Sequence, residues 1–274
     1  TNIKIETTPD RREALDGSNY VLTTIRVGDN YERDIAIPLK YGIDQSVGDT
    51  VGPGGVFKAL RTAPVLMDIC EDMEDVAPDA TLLNYTNPMA IACWSIAEAT
   101  SVPTIGLCHS VQRTTLDLAD YMGVSPDRVK GWVAGINHLA WFLRLEVDGQ
   151  DAYPQLVEAM NNPEIFSRDT VRFEVMKQFG YFVTESTRHM SEYTPYFRTN
   201  EETIEDFNLD QIPQYLQQYE TRDDGNATKI LEDVNSDKKL TATRSDEYAC
   251  RIIEAMESDR PTVINGNVPN EGLI

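Results

Sequence analysis

Histidine is scarce in this 274-residue chain, with only His109, His138 and His189 present. Lysine is scarce too, at 8 residues against 16 arginines. The four cysteines, Cys70, Cys93, Cys108 and Cys250, are scattered without a framework spacing. That usage points to free thiols in a reducing cytoplasm rather than a disulfide scaffold. No apolar run approaches the roughly 20 residues a membrane helix needs. The start, "TNIKIETTPD", has no apolar h-region of a signal peptide. No strand–GxGxxG–helix unit occurs, and "VGPGGVF" follows no clear strand, which makes it weak as a phosphate loop. Internal repeats and low-complexity tracts are also missing.

Hydrophobic content is 41%, ample for a packed core, and the length suits one large domain or two smaller ones. Acidic residues number 45 against 24 basic ones, a net charge of −21 spread along the chain. A field of that sign opposes binding to nucleic acid or anionic lipid. It also suits adaptation to high salt, where repulsion among surface carboxylates is screened.

Strand and helix signals alternate in the first half. "NIKIE", "NYVLTTI", "ATLLNYT" and "VPTIGLC" read as strands. "DRREAL", "GVFKALRTAPVLMDICEDMEDV", "NPMAIACWSIAEAT" and "VQRTTLDLADYMG" read as helices. This order predicts an α/β fold with a parallel sheet wound on both faces. Ligands gather at the carboxyl ends of such strands, here "IRVGDN", "NYTNP" and "GLCHS". "RVKGWVAGINHLAWFLRLEVDG" reads as strand, break, strand. Beyond about residue 150 the pattern turns to helices, "PEIFSRDTVRFEVMKQFG" and "SDEYACRIIEAMES", then a strand "TVING". The chain begins and ends inside apparent structure, which suggests a fragment.

Cys108 and His109 are adjacent, and neighbouring side chains on a strand diverge. That disfavours a nucleophilic pair between them. Thiolate and imidazole from separate strand ends, Cys108 and His138, suit a shared divalent ion; a buried thiol beside a surface imidazole is the bland alternative. Asn84, Thr86 and Asn87 precede a helix that Pro88 starts well, so helix capping is their default reading. The functional reading has them recognise a sugar hydroxyl or a cofactor ribose, with Asn84 and Thr86 as the cofactor contacts. Tyr193 and Tyr196 sit in "HMSEYTPYF", where half-buried packing is usual. A catalytic tyrosine needs a neighbour that assists its deprotonation.

Five segments in this order, "GDTVGPGGVFKALRTAP", "LLNYTNPMAIACW", "GLCHSVQ", "GINHLAWFL" and "GYFVTESTRHMSEYTPYF", resemble the NAD- and manganese-dependent glycoside hydrolases of family 4. Within it they are most similar to the α-galactosidases acting on unphosphorylated sugars. The resemblance implies a Rossmann-like doubly wound sheet, truncated at its N-terminus, over residues 1–137. A truncated α+β substrate-binding and oligomerisation domain would cover 138–274. The Gly-rich dinucleotide loop would precede Thr1. It further implies NAD and Mn²⁺ as cofactors, a small α-glycoside as substrate and a homo-oligomer (dimer or tetramer); cysteine usage points to the cytoplasm, and charge and hydropathy to no nucleic acid or membrane partner.

The implied chemistry departs from two-carboxylate glycosidases. Hydride leaves sugar C3 for NAD⁺, a base removes the acidified C2 proton, the metal stabilises the enediolate, and the glycosidic bond leaves by elimination. Water then adds and the hydride returns. Carried over by position, Cys108 and His138 match the metal ligands, and Asn87 a residue binding sugar hydroxyls. Tyr193 matches the C2 base, Asp49 the carboxylate that makes it more basic, and Arg33 a variable substrate contact. His109 occupies the acid-catalyst position of the phospho-glycosidase branch. Two roles stand open for it: protonating the leaving oxygen or binding a hydroxyl. The absence of a basic cluster near "CHSVQ" favours an unphosphorylated glycone.

The function expected is hydrolysis of α-galactosides of the melibiose or raffinose type. An α-glucosidase or α-glucuronidase of the same family, an NAD-dependent dehydrogenase and an inactive fragment are the alternatives. If the acidic surface is a salt adaptation, the unfolding midpoint rises from low salt to molar KCl; a salt-independent midpoint would refute it.

Overall fold

The computed structural model describes residues 4–28, 33–209, 232 and 247–270. Its first sheet holds β1 (Tyr20–Thr23), β2 (Thr81–Asn84), β3 (Thr104–Leu107) and a short final strand, β7 (Gly266–Asn267), in that spatial order. β1, β2 and β3 are parallel, and β7 pairs antiparallel with β3. One face is covered by α1 (Arg11–Leu15), α3 (Gly52–Val76) and α4 (Met89–Ala99), which bury Leu15, Leu66, Met73 and Ile96 against Leu82. Leu83 and Leu107 point to the opposite face, as the two-residue period of a strand demands. There they meet Tyr248 and Ile252 of the last helix and its start, α11 (Ala249–Glu257). Both faces are therefore covered, and the sheet is a Rossmann-like doubly wound one.

A second sheet follows. β4 (Val129–Ile136) and β5 (Leu139–Val147) form an antiparallel hairpin, and β6 (Gln150–Asp151) pairs with β5. The hairpin turn is Asn137–His138, and His138 has φ +66°. A non-glycine residue there is unusual and costs about 1 kcal/mol, so packing or function must hold it. Behind the hairpin lie α5 (Ser110–Tyr121), α6 (Tyr153–Met160), α7 (Pro163–Phe166) and α8 (Thr170–Phe179), around a core of Leu118, Phe142, Leu156, Phe173 and Phe182. α9 (Thr187–Tyr193) and α10 (Glu201–Asp206) close this region. The segment Ala249–Asn267 then returns to the first sheet.

Four sequence readings need correction. Lys4–Glu6 of "NIKIE" are exposed and belong to neither sheet; its Asn2 and Ile3 lie outside the described residues. "PEIFSRDTVRFEVMKQFG" is two helices, split where buried Asp169 leaves the helix to bond Tyr121, Thr187 and Arg172. "TVING" pairs only from Gly266. A helix absent from the sequence reading, α2 (Arg33–Leu39), precedes the "GDTVGPGG" loop. Asp29 and Asn30 of "IRVGDN" and Ser245 and Asp246 of "SDEYACRIIEAMES" lie outside the described residues.

The glycines of "VGPGG" are there for close approach rather than for phosphate. A Cβ on Gly54 would lie 2.4 Å from Gly48 O and 2.7 Å from Asp34 O. The start of α3 is already satisfied, because Gln45 Oε1 accepts the Gly54 N–H at 3.1 Å. Gly54→Ala sets two effects against each other. Helix propensity favours alanine by about 1 kcal/mol, while overpacking against backbone costs about 1–3 kcal/mol. Backbone cannot rotate away, so overpacking wins: urea unfolding should show net destabilisation, and a stabilised variant would refute the close approach.

Candidate active site

The carboxyl ends of β1, β2 and β3 open into one cleft of about 710 Å³, closed on the far side by the hairpin turn and α9. Asp49, Asn87, Cys108, His109 and His138 all line it.

At the end of β2, Asn84 and Thr86 are buried and turned inward. Asn84 Oδ1 accepts from Thr23 Oγ1 at 2.8 Å and from Thr86 N at 3.0 Å, and Asn84 Nδ2 donates to Thr86 O at 3.1 Å. Thr86 Oγ1 accepts the Ile25 N–H at 3.0 Å. The two side chains knit strand ends together instead of capping the following helix, whose N-cap is Pro88, and neither lines the cleft. Asn87 does face it: its Nδ2 donates to Asp49 Oδ2 at 3.3 Å, and its buried Oδ1 has no partner among the described residues.

Asp49 rides on the loop pinned by the α3 glycines. Thr50 Oγ1 donates to Asp49 Oδ1 at 2.9 Å and lies 2.9 Å from His138 Nδ1. A hydroxyl has one hydrogen, here given to Asp49, so Thr50 accepts from a protonated Nδ1. In that tautomer Nε2 of His138 carries the lone pair. Nε2 faces Glu185 Oε1 at 3.9 Å. Cys108, His138 and Glu185 each present one donor atom within 4.8 Å of the others. Thiolate, imidazole and carboxylate form a ligand set for a transition-metal dication, with a second atom on the histidine fixing its orientation. Asp49, His138 and His189 form a second, overlapping group of the same kind. Cys108 is held by its backbone, its N–H donating to Tyr248 OH at 2.9 Å.

Tyr193 OH lies 3.2 Å from His138 Nδ1, with the two rings stacked at 6.3 Å. Burial first, and then the Asp49 charge, push its hydroxyl far above the ordinary tyrosine range. Burial also works against the Asp49 carboxylate. Lys58, 3.8 Å away, the His189 and His138 rings and the Thr50 bond overcome this and hold it below the usual value. Burial lowers His138, and it lowers His189 to about 4. Burial raises the Cys108 thiol, and it raises Glu185 to about 7.

β3 ends at Leu107, so Cys108 and His109 lie beyond the strand and alternation does not set their directions; both line the cleft, with different partners. The His109 ring stacks on Tyr85 at 5.6 Å, and its Nε2 lies 2.8 Å from Glu247 Oε2. Arg33 is exposed on α2 and does not line the cleft. Sequence reasoning missed Glu185, His189, Lys58 and Glu247. A signal existed for two of them: Glu185, His189 and Tyr193 recur every four residues, the spacing of one helix face.

The N-terminal model of the family 4 glycosyl hydrolases matches residues 1–124, and the model of their C-terminal domain matches residues 133–274. The chain belongs to glycosyl hydrolase family 4. It is 45% identical to an α-galactosidase of Bacillus subtilis over 100% of this chain and 64% of that enzyme. It is 33% identical to an α-galacturonidase of Thermoanaerobacterium saccharolyticum over 71% of this chain and 48% of that enzyme. Among solved structures, a Bacillus subtilis protein assigned as a glucosidase superposes with TM-score 0.82 at 25% identity, covering 95% of this chain and 65% of that one. A 6-phospho-α-glucosidase from gut microorganisms, in complex with NAD and Mn²⁺, gives TM-score 0.75 at 19% identity, covering 97% and 63%. The chain thus spans under two thirds of the length of each of these family members.

The family motif containing Tyr193 also contains Glu192, which clamps the Asp49 loop. Glu192 Oε2 accepts the Val47 N–H at 2.8 Å, and Oε1 accepts the Gly48 N–H at 3.2 Å. Burial raises its carboxyl to about 7 from 4.5. The folded state therefore holds this proton more tightly than the unfolded chain. The resulting stability is fully present below about pH 4.5 and is lost as pH rises through about 7. Urea unfolding of wild type and Glu192→Gln at pH 5 and pH 8 should differ in pH dependence by about 3 kcal/mol, the wild type losing more. Parallel profiles would refute the raised value.

Proposed function

We propose that this chain carries the catalytic core of a metal- and NAD-dependent α-galactosidase acting on unphosphorylated substrates. The observation that carries the reading is the convergence of Cys108, His138 and Glu185 at one point beside Tyr193 and Asp49. The buried, unpartnered Asn87 Oδ1 and Asn137 Oδ1 add acceptors that a bound ion's water or a sugar hydroxyl would satisfy. Cys108, His138 and Glu185 would hold the dication. The strand-end rim of Leu22, Thr24 and Leu107 would hold the nicotinamide. When bound, the ion supplies Lewis-acid polarisation of sugar oxygens, and NAD⁺ supplies a hydride acceptor that is regenerated each turnover.

The chain's own groups take the remaining tasks. Asn87 fixes a sugar hydroxyl. Tyr193 removes the C2 proton. Asp49 keeps the tyrosine strongly basic, and positive charge placed in the neighbouring ligand set brings its ionised form within reach. His109 stands on the opposite side of Cys108, where the glycosidic oxygen would lie, and holds a proton or hydroxyl there.

Charge speaks for a neutral glycone. Asp49, Asp117, Glu185 and Glu247 line the cleft against Arg113 and Arg172, and Arg172 is already paired with Asp169 and Asp117. A phosphate or uronate would meet more carboxylate than cation. The choice of galactose over glucose is supported by the 45% identity to the Bacillus α-galactosidase.

A panel of p-nitrophenyl glycosides with Mn²⁺, NAD⁺ and reductant tests this. The α-galactoside should be cleaved, and cleavage of only glucosides or uronides would overturn the assignment. Tyr193→Phe should lower kcat by about 10²–10⁴-fold and abolish deuterium exchange at C2 in D₂O. Glu185→Ala should remove the rise in Tm produced by Mn²⁺.

A further inference from the structure

A second polar cluster lies behind the cleft, between α5 and α8. Arg172 of α8 is its hub, with a side chain only 5% exposed. Its Nη2 lies 2.5 Å from Asp169 Oδ2 and donates to Asp117 Oδ2 at 2.9 Å, while Nη1 donates to Thr114 Oγ1 at 2.9 Å. Tyr121 completes the group by donating to Asp169 Oδ2 at 3.0 Å. Burying a guanidinium with carboxylates is costly, and apolar residues of similar volume often stabilise a fold as well or better. Stability is therefore a poor reason for this cluster, and fixed geometry a better one.

Two arms run from the hub to one short segment, residues 184–187. In the first, Thr114 accepts from Arg172, so its single hydrogen goes to Thr184 O at 2.5 Å. In the second, Thr187 Oγ1 donates to Asp169 Oδ1 at 2.5 Å, on the carboxylate that Arg172 holds by its other oxygen. Glu185 lies between the two anchors. The Thr184 carbonyl belongs to the planar peptide that ends on the Glu185 nitrogen, so gripping it orients the backbone from which the Glu185 side chain leaves. Thr184 N also donates to Ala140 O of β5 at 2.9 Å, which ties the segment to the hairpin carrying His138. Glu185 Oε2 lies 3.1 Å from His189 Nδ1 and 3.4 Å from Ser186 N. Those two neighbours belong to the same turn and move with it. The anchors thus decide where the carboxylate stands relative to Cys108 and His138.

We propose that Arg172 is a positioning residue for Glu185, holding residues 184–187 through Thr114 and Asp169 so that the carboxylate meets Cys108 and His138 at the dication. This rests on the ligand-set reading above and deepens it. Arg172 lines the cleft, but its two carboxylate partners commit it to the frame rather than to a substrate anion.

The test uses the full chain, with free Mn²⁺ counted by electron paramagnetic resonance. Thr114→Val and Thr187→Val each cut one arm and should weaken Mn²⁺ binding by about tenfold or more. Arg172→Lys keeps the charge without the planar fork and should weaken it at least as much. Tyr121→Phe removes a buried bond to the same Asp169 that reaches neither Thr184 nor Thr187, and should shift the affinity by less than about twofold. Added to Glu185→Ala, Thr114→Val should again change it by less than about twofold, because its route to the ion is gone. Equal losses in Thr114→Val and Tyr121→Phe, or an undiminished loss in the Glu185→Ala background, would overturn the assignment. Failure of the ligand-set reading looks different: the parent chain would bind no Mn²⁺. Hydrogen exchange of the metal-free chain then decides the positioning. Thr114→Val should speed exchange of the Glu185 and Ser186 amides by about tenfold while Tyr121→Phe does not, and equal rates in the two variants would overturn it.

Discussion

Desolvation is the constraint on which the site depends. Asp49, His138, Glu185, His189 and Tyr193 crowd into one largely buried volume, and water cannot screen them there. Burial raises the acids and lowers the imidazoles, so each group tends toward its neutral form. Asp49 is the exception, kept charged mainly by Lys58. The cluster therefore sits with one persistent negative charge, a tyrosine made more basic by it, and neutral imidazoles whose lone pairs are available. Such a set is costly to leave alone and becomes favourable around a dication.

The frame that holds this cluster is built from close backbone contacts. Gly54 lets the Asp49 loop lie directly on the start of α3, and Gln45 satisfies the helix there. Glu192 grips the same loop from α9, one residue before Tyr193, so Tyr193 and Asp49 are located by one element. His138 occupies the positive-φ position of a tight hairpin, where glycine or asparagine would be easier. Thr50 and Tyr193 hold its ring in place. The strain is local, and it sits at the residue whose orientation matters most to the ligand set.

Much of the candidate site is legible in the sequence. Cys108, His138, Asp49, Asn87 and Tyr193 were named from motifs, and the fold brings them to one cleft or into contact with it. Cys108 and His109 take different partners, Ser110 and Glu247, but β3 ends before both, so strand alternation is not the reason. Other residues could not be read in that way. Glu247 lies 138 residues from His109, and nothing local in "SDEYAC" marks it as a partner. Asn84 and Thr86 belong to the same motif as Asn87, yet hydrogen bonds to Thr23 and Ile25 turn them inward. Arg33 looked like a substrate contact and stands on the exposed side of an unanticipated helix.

What the sequence determined by itself is whatever depends on order and local period. That covers the alternation of strand and helix, the parallel sheet with its strand-end loops, the hairpin after it, and the family. Tertiary structure alone decided which side chains share a volume. Glu185 stands with Cys108 and His138, His189 is a partly buried neighbour, and Arg113 lines the cleft without a partner among the described residues. The physical reason is that charge, protonation and ligand geometry depend on distances through space and on exclusion of water. Neither quantity is written in the spacing of residues along a chain.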